Sequence, residues 1–348
     1  MDKKNKIYSI QILRGIAALF VIFQHISFKS SQYDISDRSY FNIGFFGVDL
    51  FFIISGFIMC HTTASGRINP FTFIKNRAIR ILPLYWSLTT LALAVFLARP
   101  DLVNSSGGST DVFSSFTLIP TSEKLLINNG WTLSYEFLFY FIFFASLFLG
   151  KHAQNYFVYS VILTLISVGY IFNLNSIYSK FFTSTFLSEF LLGMIAYRFY
   201  ISNKKPHLIL YVLVFLSGAS ALIFQHIYGI FSVSLDRSLY AGVPMFMILI
   251  SLVMLERNIY LADSTLLKPL IFSGTISYSM YLAHVFILSP ASSLIVKATK
   301  NPIIFYAILF SATIASGYLC YTFVEVPLSK FFKKKPSQAT GGEARDNI

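Results

Sequence analysis

Ten long runs of apolar residues follow one another along the chain, each separated from the next by a shorter polar stretch. They cover roughly residues 7–28, 43–61, 79–97, 131–149, 155–172, 182–200, 207–226, 238–255, 272–290 and 302–328. Most are close to the length of about 20 residues that a helix needs to cross a bilayer. The pattern predicts an all-α integral membrane protein, a bundle of about ten transmembrane helices.

The composition agrees with this pattern. Of the 348 residues, 12% are charged and 55% are hydrophobic, and the mean hydropathy is +0.65. A soluble domain is typically about 25% charged, so the composition excludes a soluble enzyme, and it also excludes a disordered chain. Cys60 and Cys320 lie inside apolar runs and have neither disulfide nor zinc-ligand spacing, so we expect no metal site.

The basic residues predict an orientation. With a cytoplasmic N-terminus and ten alternating spans, 18 of the 27 Lys and Arg residues fall in cytoplasmic segments and 8 in external ones. This bias follows the positive-inside rule and predicts that both termini are cytoplasmic. It also accounts for the net charge of +12 without a nucleic-acid partner. We expect a membrane domain over residues 1–332 and a polar, disordered cytoplasmic tail over 333–348.

Ionisable residues inside the apolar runs are the candidates for function, because such groups are costly in lipid. Arg14 and His25 share the first span and lie on one helical face, about 16 Å apart along the axis. Asp49 on the second span and Glu136 on the fourth are expected at the depth of His25. A carboxylate beside an imidazole would fix its tautomer, so we predict that Asp49 orients His25. For each residue, an ordinary interfacial polar group is the alternative, and for Glu189 we favour a helix-packing contact.

Two further motifs carry polar side chains on one helical face. Arg77 and Arg80 lie at the cytoplasmic end of the third span. They either set the membrane topology and contact anionic lipids, or they bind phosphate groups. Ser277, Tyr281 and His284 share a face of the ninth span. A Ser/Tyr stripe is more often a contact between helices than a catalytic site, and His284 is the weaker catalytic candidate.

The predicted arrangement is a cationic opening at the cytoplasmic end of the bundle and a cluster of histidine and carboxylates near its external end. It suits a long anionic donor that enters from the cytoplasm and reaches outward with its reactive end. Coenzyme A thioesters have this form, with phosphates at one end and an acyl group at the other. The outer cluster would activate a hydroxyl by general base catalysis or carry the acyl group on its imidazole.

The chain resembles the bacterial membrane acyltransferase-3 family of integral-membrane O-acyltransferases. The resemblance rests on segments spread over the whole chain in the family's order: residues 14–25 (RGIAALFVIFQH), 44–57 (GFFGVDLFFIISGF), 76–86 (NRAIRILPLYW), 131–141 (WTLSYEFLFYF), 277–284 (SYSMYLAH) and 323–327 (FVEVP). It implies a bundle of about ten helices and acyl transfer from cytoplasmic acyl-CoA to hydroxyls of extracytoplasmic sugars.

The resemblance also implies roles for single residues. Arg14 and His25 match the family's Arg-x10-His pair, which makes His25 the catalytic candidate, and Arg77 and Arg80 match its R-x-x-R motif. The candidate site residues therefore fall into two sets. The catalytic set is His25, Asp49 and Glu136. The acetyl-CoA-binding set is Arg14, Arg77, Arg80, Tyr281 and His284.

The leading hypothesis is a multi-pass O-acetyltransferase of the bacterial inner membrane, in a stand-alone form without a fused soluble hydrolase-like domain. Its donor would be acetyl-CoA or another short acyl-CoA, and its acceptor a glycan or lipid-linked sugar such as O-antigen or exopolysaccharide. Its expected partners are the lipid bilayer and these two substrates. Association with a second copy of the chain is left open. The alternatives are a transporter or flippase for a sugar or lipid, and an acyltransferase that acts on a lipid or small molecule.

Overall fold

The computed structural model describes residues 7–36, 41, 43–64, 66, 68–103, 108–202, 207–229, 235–256 and 265–333. Within these ranges the chain is helical and contains no named strand. Ten long helices carry the fold: α1 (Tyr8–Gln32), α2 (Phe46–Thr63), α3 (Pro70–Ala98), α4 (Gly130–Ser146), α5 (Lys151–Phe172), α6 (Phe186–Ile201), α7 (Leu208–Tyr228), α8 (Val243–Glu256), α9 (Lys268–Ala298) and α10 (Pro302–Cys320).

Two π-helical segments extend this set. Ser238–Gly242 leads into α8, and Tyr321–Glu325 joins α10 to a last short helix, Val326–Lys333. With these extensions, eight helices of the described chain are long and apolar enough to cross a membrane. The other two, α4 and α6, are 17 and 16 residues long. The protein is an all-α integral membrane protein, and a helix lies at each of the ten predicted spans. Residues 334–348, most of the predicted tail, lie outside the described residues.

Two of the long helices, α3 and α10, begin at a capping asparagine. The Asn69 side chain accepts hydrogen bonds from two backbone amides of α3, which has Pro70 in its first turn. Asn301 and Pro302 repeat this arrangement at α10. A short polar side chain satisfies amides that have no partner within the helix, and proline tolerates the first turn because its missing N–H is not needed there.

Helix α2 lies at the centre of the bundle, and α5 and α7 lie at its edge, where few of their side chains are buried. Two close contacts fix the centre. A Cβ atom on Gly274 of α9 would lie 1.8 Å from the Gln11 carbonyl oxygen of α1, and one on Gly193 of α6 would lie 1.9 Å from the Ile53 carbonyl oxygen of α2. Only glycine allows the backbones to approach so closely, as is common between membrane helices.

The bundle has two ends. At the amino-terminal end, the Glu256 carboxylate at the end of α8 accepts from the Tyr8 and Ser9 amides of α1, at 2.7 and 2.9 Å. At the opposite end, the short helix Val112–Thr117 packs on α3, where the Tyr85 hydroxyl donates to the Ser115 carbonyl oxygen at 2.7 Å. The Ser114 amide and hydroxyl donate to Asp111 at the start of that short helix, and these bonds hold the pKa of the Asp111 carboxyl below its usual value.

Candidate active site

A central cavity lies among α1, α2, α3, α4 and α9 and holds about 760 Å³ of empty space, including the part that opens outward. Its apolar walls come mainly from α2. Its polar lining residues are Arg14, Ser55, Arg77, Arg80, Thr132, Glu136, Tyr140, Ser277, Tyr278 and Tyr281. The structure therefore brings together four of the five residues predicted for the donor site.

Three arginines give one part of this cavity its positive charge. Arg80 is exposed, whereas Arg14 and Arg77 are partly buried. The Arg77 guanidinium lies 5.8 Å from the centre of the Phe73 ring, and its Nε has no hydrogen-bond partner within the described part of the chain. Arginine forks suit phosphate and carboxylate groups, so this part of the cavity can hold an anion.

Glu136 lies in the same cavity as these arginines. It accepts hydrogen bonds from Ser55 at 3.0 Å and from the Tyr140 hydroxyl. Thr132, Glu136 and Tyr140 follow one another at intervals of four residues on α4, and all three line the cavity. The predicted grouping of Glu136 with His25 and Asp49 is wrong. Glu136 is one helical turn further along α4 than Thr132, and that turn of about 6 Å carries it toward the arginines.

A pair of histidines lies beyond the cavity. The ring centres of His25 and His284 are 5.0 Å apart. His284 is fully buried; its Nδ1 lies 3.1 Å from the Met280 carbonyl oxygen and its Nε2 lies 3.5 Å from the amide nitrogen of Asn129. The same amide nitrogen donates to the Tyr281 carbonyl oxygen. Because an amide nitrogen only donates, these contacts favour a neutral His284 with its proton on Nδ1.

Tyr281 joins the cavity to the histidine pair. Its ring lines the cavity, its hydroxyl lies 3.0 Å from the Thr132 hydroxyl, and its ring centre lies 6.2 Å from that of His284. His284, predicted in the donor-binding set, thus packs against His25 instead of lining the cavity. Of the three residues predicted to share a face of this helix, Ser277 and Tyr281 line the cavity and His284 does not.

Asp49 lies away from this pair, and the prediction that it orients His25 is wrong. Its fully buried carboxylate accepts two hydrogen bonds from Arg237, Nε to Oδ1 at 3.1 Å and Nη2 to Oδ2 at 2.7 Å. The His25 ring instead meets Phe45 edge to face, with centres 5.8 Å apart. A bidentate guanidinium satisfies a buried carboxylate more fully than one imidazole does. The Asp49 face of α2 therefore turns toward Arg237 at the start of the α8 segment.

Two other acidic residues lie inside the bundle, and Glu189 is a neighbour of Asp49 and Arg237. Glu189 on α6 is fully buried, and a Cβ on Gly242 would lie 3.2 Å from its carboxylate. Neither of its carboxylate oxygens has a hydrogen-bond partner among the described residues. Glu325 accepts a hydrogen bond from Ser279 and lies in the π-helical segment.

Sequence reasoning missed two residues that organise the site. Arg237 stands one residue before a predicted span and was counted only as a topological charge, and Asn129 lies just before the predicted fourth span. The signal for Arg237 was the unpaired Asp49, because a buried carboxylate needs a partner. No comparable signal marked Asn129. Among the described residues no group of three His, Cys, Asp or Glu side chains could hold a metal ion.

The fold and the cavity together define a class of protein: a polytopic membrane protein with an internal cationic site that leads to a histidine pair. A family model described as an acyltransferase domain matches residues 7–322. The chain therefore belongs to the acyltransferase-3 family, and it is an acyltransferase.

Two curated relatives extend this result. The exopolysaccharide production protein ExoZ of Rhizobium meliloti (strain 1021) is 31% identical over 300 residues, covering 83% of this chain and 90% of that protein. The O-acetyltransferase OatA of Staphylococcus aureus (strain MRSA252) is 24% identical over 371 residues, covering 94% of this chain and 59% of that protein. The chain thus spans little more than half of the second relative. No solved structure matches the chain significantly.

Proposed function

We propose that this acyltransferase moves an acetyl or other short acyl group from cytoplasmic acyl-CoA to a hydroxyl of an extracytoplasmic glycan. In this arrangement the amino-terminal end of the bundle faces the cytoplasm of a bacterial inner membrane. One observation carries the proposal: the cavity runs from the exposed Arg80 to Tyr281, whose ring packs against His284 of the histidine pair. A donor bound along it would reach across much of the bundle.

The donor end of the proposal rests on the arginines. Coenzyme A carries phosphates at one end of a flexible arm and its thioester at the other. Arg77 and Arg80 would bind the phosphates near the mouth, and the unpartnered Nε of Arg77 is a donor that a phosphate oxygen would satisfy. Arg14 and His25 lie about 16 Å apart along α1. An extended arm therefore suits the path better than a small acyl donor does.

The chemical step rests on His25. As general base, its imidazole removes the proton from the sugar hydroxyl, whose oxygen attacks the thioester carbonyl. The carbon–sulfur bond breaks, and the thiolate of coenzyme A leaves and takes up the proton that the imidazolium gives back. His284 holds the His25 ring in place by packing against it. Transfer through an acyl-imidazole on His25 is the alternative route, and a trapped acyl-enzyme would identify it.

The acceptor is argued from the relatives and from charge. ExoZ is named for exopolysaccharide production and OatA for O-acetyl transfer, which supports a polysaccharide such as exopolysaccharide or O-antigen. The excess of Lys and Arg in alternate segments supports an orientation in which the histidine pair lies toward the outside. Acyl-CoA and acceptor would then enter from opposite ends of the bundle.

NMR of the host's surface polysaccharide tests the proposal. The samples come from cells with the wild-type gene, a deletion, His25→Ala and the control His152→Ala, whose side chain is exposed on α5, at matched expression. We expect O-acetyl signals in the wild type and in His152→Ala and none in the deletion or in His25→Ala. Equal signals in all four samples would show that this polysaccharide is not the acceptor. Signals lost in the deletion alone would remove His25 from the mechanism.

A further inference from the structure

Glu189 on α6 is a fully buried acid that the described mechanism does not use. No N–H or hydroxyl group of the described residues donates to either of its carboxyl oxygens. A carboxylate that is charged inside a protein normally collects such donors. The partly buried Glu256 does so, because it accepts from the Tyr8 and Ser9 amides and the Ser9 hydroxyl at 2.7, 2.9 and 2.5 Å. The different surroundings of Glu189 therefore need a physical explanation.

The start of α6 does not supply the missing donors. Glu189 lies in the first turn of this helix, where free backbone amides often stabilise a carboxylate. Here the Phe186 and Leu187 amides donate to the hydroxyl and the carbonyl oxygen of Ser184, at 3.3 and 3.2 Å. The Ser188 amide is bonded to a carbonyl oxygen of the preceding turn at 2.9 Å. The helix start is thus satisfied without the Glu189 side chain.

The register of α2 and α6 places Asp49 beside Glu189. A Cβ on Gly193 of α6 would lie 1.9 Å from the Ile53 carbonyl oxygen of α2. Glu189 and Asp49 each lie four residues before this contact, on the same faces of their helices. The two helices run in the same direction, as ring contacts near both of their ends show. The two acids therefore meet one helical turn, about 6 Å, before the glycine contact.

Arg237 compensates the charge of only one of these two acids. Its guanidinium donates to both oxygens of Asp49, at 3.1 and 2.7 Å. Asp236 is a further acidic neighbour of Glu189. An ionised Glu189 would therefore be a second buried negative charge beside Asp49 with no donor of its own, and such a charge is so costly that the group is neutral instead. A neutral carboxyl has an O–H donor, and each carboxylate oxygen of Asp49 can accept a second bond.

Arg237 also connects the acid pair to the candidate base. The same Nη2 that donates to Asp49 donates to the Phe45 carbonyl oxygen at 2.9 Å. The Phe45 ring meets His25 edge to face, with centres 5.8 Å apart. A negative charge on Glu189 would draw the guanidinium away from Phe45. The proton on the acid pair therefore affects the wall against which the His25 ring packs.

From these observations we propose that Glu189 is uncharged, that its O–H group donates to the Asp49 carboxylate, and that this shared proton makes Glu189 a positioning residue for His25. The acid pair then has one negative charge, which Arg237 balances while it keeps its bond to the Phe45 carbonyl oxygen. The positioning role rests on the proposed function, whereas the shared proton does not. The inference differs from an ordinary packing contact because it requires a hydrogen-bond donor at position 189.

Infrared difference spectroscopy tests the proton directly. The samples are the wild type, Glu189→Gln and the control Glu123→Gln, purified at neutral pH in a maltoside detergent, which has no carbonyl group. A protonated carboxyl has a carbonyl stretch that an ionised carboxylate lacks. We expect Glu189→Gln to lose this carbonyl band, and Glu123→Gln to lose carboxylate bands instead, because Glu123 is exposed. Loss of carboxylate bands with Glu189→Gln as well would overturn the inference.

Steady-state kinetics in lipid nanodiscs tests the positioning role, with acetyl-CoA and oligosaccharides from alkali-deacetylated host exopolysaccharide as substrates. Glu189→Gln keeps an N–H donor for Asp49 and adds no charge, so kcat should stay close to that of the wild type. Glu189→Met has a similar size and no donor, and kcat should fall by up to about 10²-fold, the effect of a misplaced catalytic group. KM for acetyl-CoA should stay unchanged in both variants, since Glu189 does not line the arginine cavity.

The two variants separate this inference from its alternatives. A loss of kcat in Glu189→Gln as large as in Glu189→Met would overturn it, because a charged carboxylate would then be required. Wild-type kcat in Glu189→Met would overturn the positioning role. Where Glu189→Met does not fold, the kcat of Glu189→Gln and the infrared result decide. A wild type that transfers nothing would overturn only the proposed function, and the infrared spectra would still show whether Glu189 holds the proton.

Discussion

The rings of His25 and His284 lie 5.0 Å apart on two parallel helices, α1 and α9. The contact depends on helix register. Gly15 and Gly274 each precede one of these histidines by ten residues, and both lie where the two backbones touch. Because the spacing is the same on two parallel helices, the register that brings the two glycines together also brings the two histidines together. The backbone contact near the amino-terminal end thus positions the candidate base about 15 Å away.

Replacing His284 with Ala should lower kcat for acyl transfer on the order of 10²-fold, because a misplaced catalytic group loses about that much. KM for acetyl-CoA should stay near its wild-type value, since His284 does not line the arginine cavity. His284→Asn should recover part of the rate, because the Asn amide nitrogen can still donate to the Met280 carbonyl oxygen as Nδ1 does. Steady-state kinetics in nanodiscs measures both constants. Equal losses in the two variants would argue against a positioning role.

Replacing Gly274 with Ala should separate α1 from α9. The new Cβ would meet the Gln11 carbonyl oxygen at 1.8 Å, and overpacking of this kind typically costs about 1–3 kcal/mol. We expect a lower unfolding temperature in detergent and a lower kcat in the protein that remains folded. Gly150→Ala is the control, because a Cβ there has open space. Wild-type kcat in Gly274→Ala would show that the histidine pair does not depend on this register.

The apolar pattern predicted the fold because a membrane helix is set by local composition. Each of the ten runs needed only its own residues to become a helix, and each did. The face of a helix was also predictable, as Tyr281 and Glu136 show, because a period of 3.6 residues fixes which side chains point together.

What a helical face touches was not predictable from the same pattern. Asp49 could turn toward α1 or toward the α8 segment, and the choice depended on Arg237, which is 188 residues away in the chain. Similarly, α4 could place Glu136 beside His25 or beside the arginines, and one turn of helix separates the two outcomes. The rotation and depth of a helix are set by its packing against neighbouring helices. The sequence of one apolar run does not contain that information.

The double replacement of Arg77 and Arg80 with Gln should raise KM for acetyl-CoA with a smaller change in kcat. Gln keeps much of the side-chain volume but loses the charge that attracts phosphates. The loss of a single charged hydrogen bond, about 1.5–3 kcal/mol, already corresponds to about a tenfold to hundredfold rise in KM, so we expect at least that effect from the double variant. Initial rates against donor concentration measure it.

Arg198→Gln is the control for charge, because Arg198 is exposed near the end of α6 and is absent from the cavity lining. Its KM for acetyl-CoA should match that of the wild type. An unchanged KM in the double variant as well would assign Arg77 and Arg80 to membrane topology, and the donor would then have to bind elsewhere.

Asp49 and Arg237 should behave as a structural pair. Asp49→Ala leaves a largely buried guanidinium without its carboxylate, and breaking a buried pair typically costs about 3–5 kcal/mol. Asp49→Leu combined with Arg237→Met removes both charges and should recover much of that stability. Unfolding of the single and double variants in detergent gives the coupling between the two residues.

Had Asp49 oriented His25 instead, the double variant would keep its fold and lose transfer as completely as His25→Ala. A double variant that is stable and still transfers acetyl groups would place the role of Asp49 in the fold, whereas additive losses of stability would show that the ion pair contributes nothing to it.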